Sequence, residues 1–137
     1  MSVPDWKIPT SVQPHARHYA YDLDRVLDSM VAVSAHVPED AFTAETLGTE
    51  RAGNGVVIDD QGTVLTIGYL ITEARDVWLR ANDGRIFPAH VLGYDQETGF
   101  GLVQALARMD LTHLRFGDSD KVHTGDMLLI AGAGGRE

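Results

Sequence analysis

The 137 residues carry 11 Lys and Arg against 20 Asp and Glu, a formal charge of −9, with 44% hydrophobic and 23% charged residues and no cysteine. That balance fits one acidic globular domain and excludes disorder, collagen-like repeats, disulfide frameworks, thiolate catalysis and cysteine-based metal sites. A carboxylate surplus without any Lys/Arg run repels phosphate backbones and anionic headgroups, so nucleic acid and membrane surfaces are not expected partners.

Residues 1–21 hold Pro4, Pro9 and Pro14 among polar neighbours, which breaks helix and ladder pairing and predicts an extended arm, with Trp6 and Ile8 as its anchors. The start shows no basic region followed by an apolar stretch, and no apolar run approaches the ~20 residues of a bilayer span. The expectation is a cytoplasmic chain. From Asp22 the order Leu23, Val26, Leu27, Met30 sets apolar side chains at i, i+3, i+4 and i+7. With Asp22 and Asp24 near the positive end of the dipole, this predicts a short helix over 22–29. Residues 30–37 turn β-branched and stop at Pro38, which predicts a strand. Residues 38–50 are polar and acidic and read as an exposed connection with no element of their own.

Short apolar or alternating runs then follow at 56–58, 64–67, 77–80, 86–94 and 100–106, separated by turn residues at 59–62, 82–84 and 95–99. Asn82, Asp83 and Gly84 between two alternating runs form the clearest hairpin signal. Many short strands without a helix between each pair predict an all-β fold, an antiparallel barrel or sandwich. Val57, Leu65, Leu79, Val91 and Leu102 are the predicted interior. A last apolar run, 127–131, precedes the glycines of 132–135.

Six histidines invite a metal test, but His15, His18, His36, His90, His113 and His123 fall in different predicted elements, and the close pair His15/His18 lacks a third ligand. Solvated histidines account for them. Gly53 and Gly55 precede a strand rather than a helix, so no nucleotide loop is formed. The acidic pairs Asp59/Asp60 and Asp118/Asp120 sit in turns whose backbone they can bond. No metal or other cofactor is expected.

Three segments in order carry a resemblance. Residues 53–66 (GNGVVIDDQGTVLT), 82–98 (NDGRIFPAHVLGYDQET) and 116–132 (FGDSDKVHTGDMLLIAG) resemble the first half of a trypsin-like serine protease of the bacterial HtrA/Deg kind. In that family the first segment leads to the catalytic histidine, the second to the catalytic aspartate, and the third crosses to a second barrel. The resemblance implies one antiparallel Greek-key β-barrel with a short N-terminal helix. It divides the chain into an arm (1–21), a barrel (22–126) and the start of a second barrel or a linker (127–137).

The chemistry does not carry over with the fold. Where the family has Asn-Ala-His after the Leu-Thr pair, this chain has Ile67, Gly68 and Tyr69; where it has Asp-Leu-Ala after the Glu-Thr pair, this chain has Gly99, Phe100 and Gly101. Tyr69 and Gly99 therefore stand at the positions of the general base and of the aspartate that orients it, and no catalytic residue is expected. A phenol with a reference pKa near 10 is about one part in a thousand ionised at pH 7, so it does not shuttle a proton as imidazole does. The family's Gly-Asn-Ser-Gly-Gly loop, which holds the nucleophile, is not among these residues. On this reading Ile67 fills core volume, and Gly99 and Gly101 allow close packing under Phe100. Three functions compete: an inactive protease-like domain kept for binding or scaffolding, a serine endopeptidase completed by a second barrel or chain, and a small barrel that oligomerises or binds a peptide at an edge. Self-association or a protein or peptide partner is expected.

Overall fold

The computed structural model describes residues 9–133. Six strands, β1 (Met30–His36), β2 (Glu50–Val57), β3 (Thr63–Ile67), β4 (Asp76–Arg80), β5 (Ile86–Tyr94) and β6 (Phe100–Ala105), pair in the order β1-β2-β3-β6-β5-β4 and close into an antiparallel barrel. Closure comes from β1 lying against β4, Ala32 opposite Arg80 through His36 opposite Asp76, and it leaves no open edge. Three short helices accompany the strands: α1 (Leu23–Leu27), α2 (Ala44–Leu47) and α3 (Gly68–Ile71). The all-β barrel with a short N-terminal helix is thus the architecture of the chain.

The interior is small and β-branched. Val31, Val33, Val57, Val64, Leu79 and Val103 are buried, with Leu70 and Ile71 of α3 closing one part of the cluster. At ~25 cal/mol per Å2 of apolar area, this burial is the main favourable term. Its polar exceptions are satisfied: buried Thr66 donates its hydroxyl to Asn54 O at 2.7 Å.

Of the five predicted interior residues, Val57 and Leu79 are buried. Leu65 and Leu102 are not; they sit directly opposite each other on the outer face, while their neighbours Val64 and Val103 point inward with 0% exposure. Apolar residues occupy both faces here, so alternation alone does not select the inner set, and a one-residue shift of phase exchanges them. Val91 packs only partly against the core, at a break in the β5–β6 register between Val91 and Gly93. Ile67, expected to fill core volume, is 51% exposed at the end of β3.

Strand β2 begins at Glu50, inside the stretch expected to be a bare connection, and pairs with the whole of β1 from His36 opposite Glu50 to Met30 opposite Val56. Its first half is polar and glycine-rich, which hides it from any hydrophobic pattern. The same connection carries α2. Helix α1 is shorter than predicted, capped by Asp22 Oδ1 accepting from Arg25 N at 3.1 Å. The described part of the arm holds two 3-10 turns, Thr10–Val12 and Ala16–His18; Trp6 and Ile8 lie outside the described residues. The 127–131 run forms no strand: Met127, Leu128 and Ile130 are exposed, and the backbone is next fastened where Ala133 N donates to Asn54 Oδ1 at 2.8 Å.

Candidate active site

Helix α3 follows β3 directly and plugs one end of the barrel. Its Leu70 and Ile71 are buried, and two glycines make room for them. A methyl group on Gly53 would stand 2.6 Å from Leu70 Cδ1, and one on Gly101 would stand 2.7 Å from Ile71 Cδ1. Gly101 therefore packs under Ile71, not under Phe100, which is 54% exposed. With Leu70 and Ile71 turned inward, Tyr69 is turned out and is 51% exposed.

Four residues cannot form a stable helix on their own. Arg51, buried on β2, holds this one: its Nη1 donates to Tyr69 O at 2.7 Å and to Thr72 O at 2.9 Å, satisfying carbonyls at the helix end. Thr72 returns its hydroxyl to Gly68 O at 2.8 Å.

Gly99 lies beside the start of the same helix. Ile67 pairs with Phe100 across β3 and β6, and Gly68 N donates to Gly99 O at 2.8 Å. Gly99 adopts φ +79, the left-handed region that glycine enters without a Cβ penalty, so Gly99 ends the turn that begins at Asp95, with Gly99 N donating to Asp95 O at 2.9 Å. Gly99 and the residue before Tyr69 are thus joined by one backbone hydrogen bond. Asp95, the nearest aspartate before Gly99, is committed to the turn: it accepts from Thr98 Oγ1 at 2.7 Å and Thr98 N at 3.1 Å. The Thr98 hydroxyl, then its amide, hold the Asp95 carboxyl below its usual range.

The six histidines form no common cluster. His15 and His18 meet edge to face, His36 pairs with Glu50, and His123 N donates to Asp126. Among the described residues no group of three His, Asp or Glu is arranged to hold a metal ion. A cavity of about 600 Å3 between the β2–β3 turn and residues 105–111 is lined by neither Tyr69 nor Gly99; Tyr69 stands on the exposed surface of the helix. No local pattern marks Arg51 as part of this site, since its acceptors lie 18 and 21 residues away.

Set against known families, residues 53–137 match the trypsin-like peptidase domain. This chain belongs to the trypsin-like peptidase family. Among curated members, the periplasmic pH-dependent serine endoprotease DegQ of Escherichia coli K12 is 31% identical over an alignment of 127 residues, covering 80% of this chain and 28% of DegQ. The periplasmic serine endoprotease DegP of the same organism is 33% identical over 81 residues, covering 58% of this chain and 17% of DegP. The chain thus spans little more than a quarter of the length of DegQ. Among solved structures, the HtrA-type protease AlgW with tripeptide superposes with a TM-score of 0.63 at 21% identity, over 75% of this chain and 31% of that one. A serine endoprotease from Yersinia pestis does so with a TM-score of 0.59 at 22% identity, over 75% of this chain and 34% of that one. At such identities the likeness concerns the fold. One barrel of the trypsin-like, HtrA/Deg-like kind is what all of these share with the chain.

The family members correct one expectation. DegQ and DegP are both named as periplasmic, which overturns the cytoplasmic location expected from the start of the sequence. A trypsin-like barrel that covers 28% of its relative carries no information on compartment in its first residues. No helix among the described residues is long and apolar enough to cross a membrane.

Proposed function

We propose that this trypsin-like, HtrA/Deg-like barrel has no proteolytic activity of its own and serves as a binding or scaffolding module, a pseudoprotease domain. The observation that supports the reading is what flanks the Gly68–Gly99 hydrogen bond: where the resemblance puts a general base and its orienting acid, there is a phenol, Tyr69, and no side chain, Gly99. Loss of the base of such a triad costs on the order of 10^6 in kcat, or roughly 8 kcal/mol of transition-state stabilisation. No rearrangement of Asp95 offsets this, because its carboxylate already bonds Thr98. Since one fold hosts many functions, the reading rests on these residues and not on the barrel. The partner it implies is a second copy of the chain, or a protein or peptide.

A second reading, a serine endopeptidase completed by a second barrel or chain, is favoured by the names of the relatives and by the small share of their length that this chain covers. Hydrolysis of unfolded casein and of an activated ester, together with labelling by a fluorophosphonate, separates the two when the barrel is assayed with a second barrel supplied by DegQ. The first reading expects background rates and no label; inhibitor-sensitive turnover overturns it.

A further inference from the structure

Thr43 of the β1–β2 connection and Glu73 beyond helix α3 lie 30 positions apart, yet two charged side chains bind the connection and the helix to each other through this one threonine. Thr43 Oγ1 donates to Glu73 Oε2 at 2.6 Å and accepts from Arg51 Nη2 at 2.7 Å. On one side Glu73, just beyond α3, also takes Thr43 N at 2.7 Å and Phe42 N at 2.9 Å. On the other, Arg51 bonds the α3 carbonyls of Tyr69 and Thr72 and, through Nε, Gly48 O at 3.1 Å.

Two features mark the arrangement as more than incidental surface bonding. Arg51 is buried, with 4% of its surface exposed, so each acceptor it loses leaves a desolvated donor without a partner. Glu73 adopts φ +59, a strained conformation for a residue with a side chain, and it is held there with its carboxylate turned back onto residues 42 and 43. At the outer end of the network stands Phe42, 96% exposed. At the inner end stands Tyr69, and beyond it the Gly68 N to Gly99 O bond.

We propose that the β1–β2 connection and α3 form one coupled unit with Arg51 as its positioning residue, so that displacement of the connection at Phe42 loosens the helix that carries Tyr69 and the turn at Gly99. The unit is a conformational relay between an exposed aromatic side chain and the candidate site. It holds whether that site is catalytic or only a binding surface, because it rests on the hydrogen bonds alone.

The test is amide hydrogen exchange in the whole chain for wild type, Thr43→Ala, Thr43→Ser and Glu73→Gln. Thr43→Ala removes the shared oxygen. Exchange should rise roughly tenfold at Thr72 N and Ala74 N as well as at residues 42–48, while amides of β4 and β5 keep their wild-type rates, and Thr43→Ser should restore both regions. Glu73→Gln keeps the shape, loses the charge, and should give the same two-region pattern, which serves if Thr43→Ala does not fold. Faster exchange confined to 42–48 would overturn the coupling. So would unchanged exchange everywhere, or an equal rise in the barrel strands, which would reduce the effect to overall stability.

Discussion

Replacing Gly101 by Ala tests how closely α3 is seated in the barrel. The added methyl would stand 2.7 Å from Ile71 Cδ1, and 3.1 Å from both Ile71 Cγ1 and Gly68 Cα. The two isoleucine contacts ease only if Ile71 changes rotamer within the packed core, and the backbone of Gly68 does not move without shifting the helix. Overpacking of this kind costs about 1–3 kcal/mol. A value of about 2 kcal/mol lowers Tm by roughly 8 °C for a domain of this size. Ile71→Val removes Cδ1, creates a small cavity and by itself costs about 1 kcal/mol. In the double variant the valine vacates the space the new methyl needs, so the two losses should fall short of their sum by at least about 0.5 kcal/mol. Thermal and urea unfolding followed by circular dichroism measure all three. A Gly101→Ala protein within 1 °C of wild type (an order smaller than the roughly 8 °C expected), or strict additivity with Ile71→Val, would refute the packing argument.

Adding Tyr69→His and Gly99→Asp together to this chain should leave casein and ester hydrolysis at background, because no nucleophile loop accompanies them; inhibitor-sensitive turnover would show the catalytic groups to be elsewhere. Acid should unfold the protein through its turn carboxylates. Asp95, held below its usual range by Thr98, and Glu73, held there first by the Thr43 hydroxyl, then by the Thr43 and Phe42 amides, add stability. That stability is full above the unfolded carboxylate value near 4 and is lost as pH falls through their lower folded values. Urea midpoints for wild type and Thr98→Val should therefore differ at pH 7 and converge at low pH, and a gap that widened on acidification would contradict the assignment. Finally, Met127, Leu128 and Ile130 are exposed on a segment without a strand partner, so sedimentation should show a dimer for the intact chain and a monomer for one ending at Asp126; a wild type that stays monomeric at high concentration would rule out pairing through this segment.

The barrel was readable wherever local chemistry and pattern agreed. Strand β5 runs over Ile86–Tyr94 as predicted, and the turn before it has Gly84 at φ +86 and Gly84 N bonded to Ala81 O at 2.9 Å, which the Asn-Asp-Gly sequence demands. The phase of β3 and β6 was not readable, because Leu65 and Leu102 are as apolar as the Val64 and Val103 beside them. Only the inward hydroxyl of Thr66, bonded to Asn54 O, marks the inner face, and that contact crosses to another strand. Helix α3 was missed for the same reason: four residues held by an arginine from β2 leave no periodic trace. Tyr69 and Gly99 were located through ordered resemblance alone, and their adjacency follows from the pairing of Ile67 with Phe100, a contact between residues 33 positions apart in the numbering.

The central claim, that Tyr69 and Gly99 leave this trypsin-like barrel without a working base, is tested most directly by transplanting the barrel. Residues 30–132 would replace the matching segment of DegQ, which supplies its own remaining length, and casein turnover would be compared with and without Tyr69→His and Gly99→Asp. The chimera with Tyr69 and Gly99 as they stand should show no turnover above background, and the doubly substituted chimera should regain it. Turnover by the unsubstituted chimera would contradict the account.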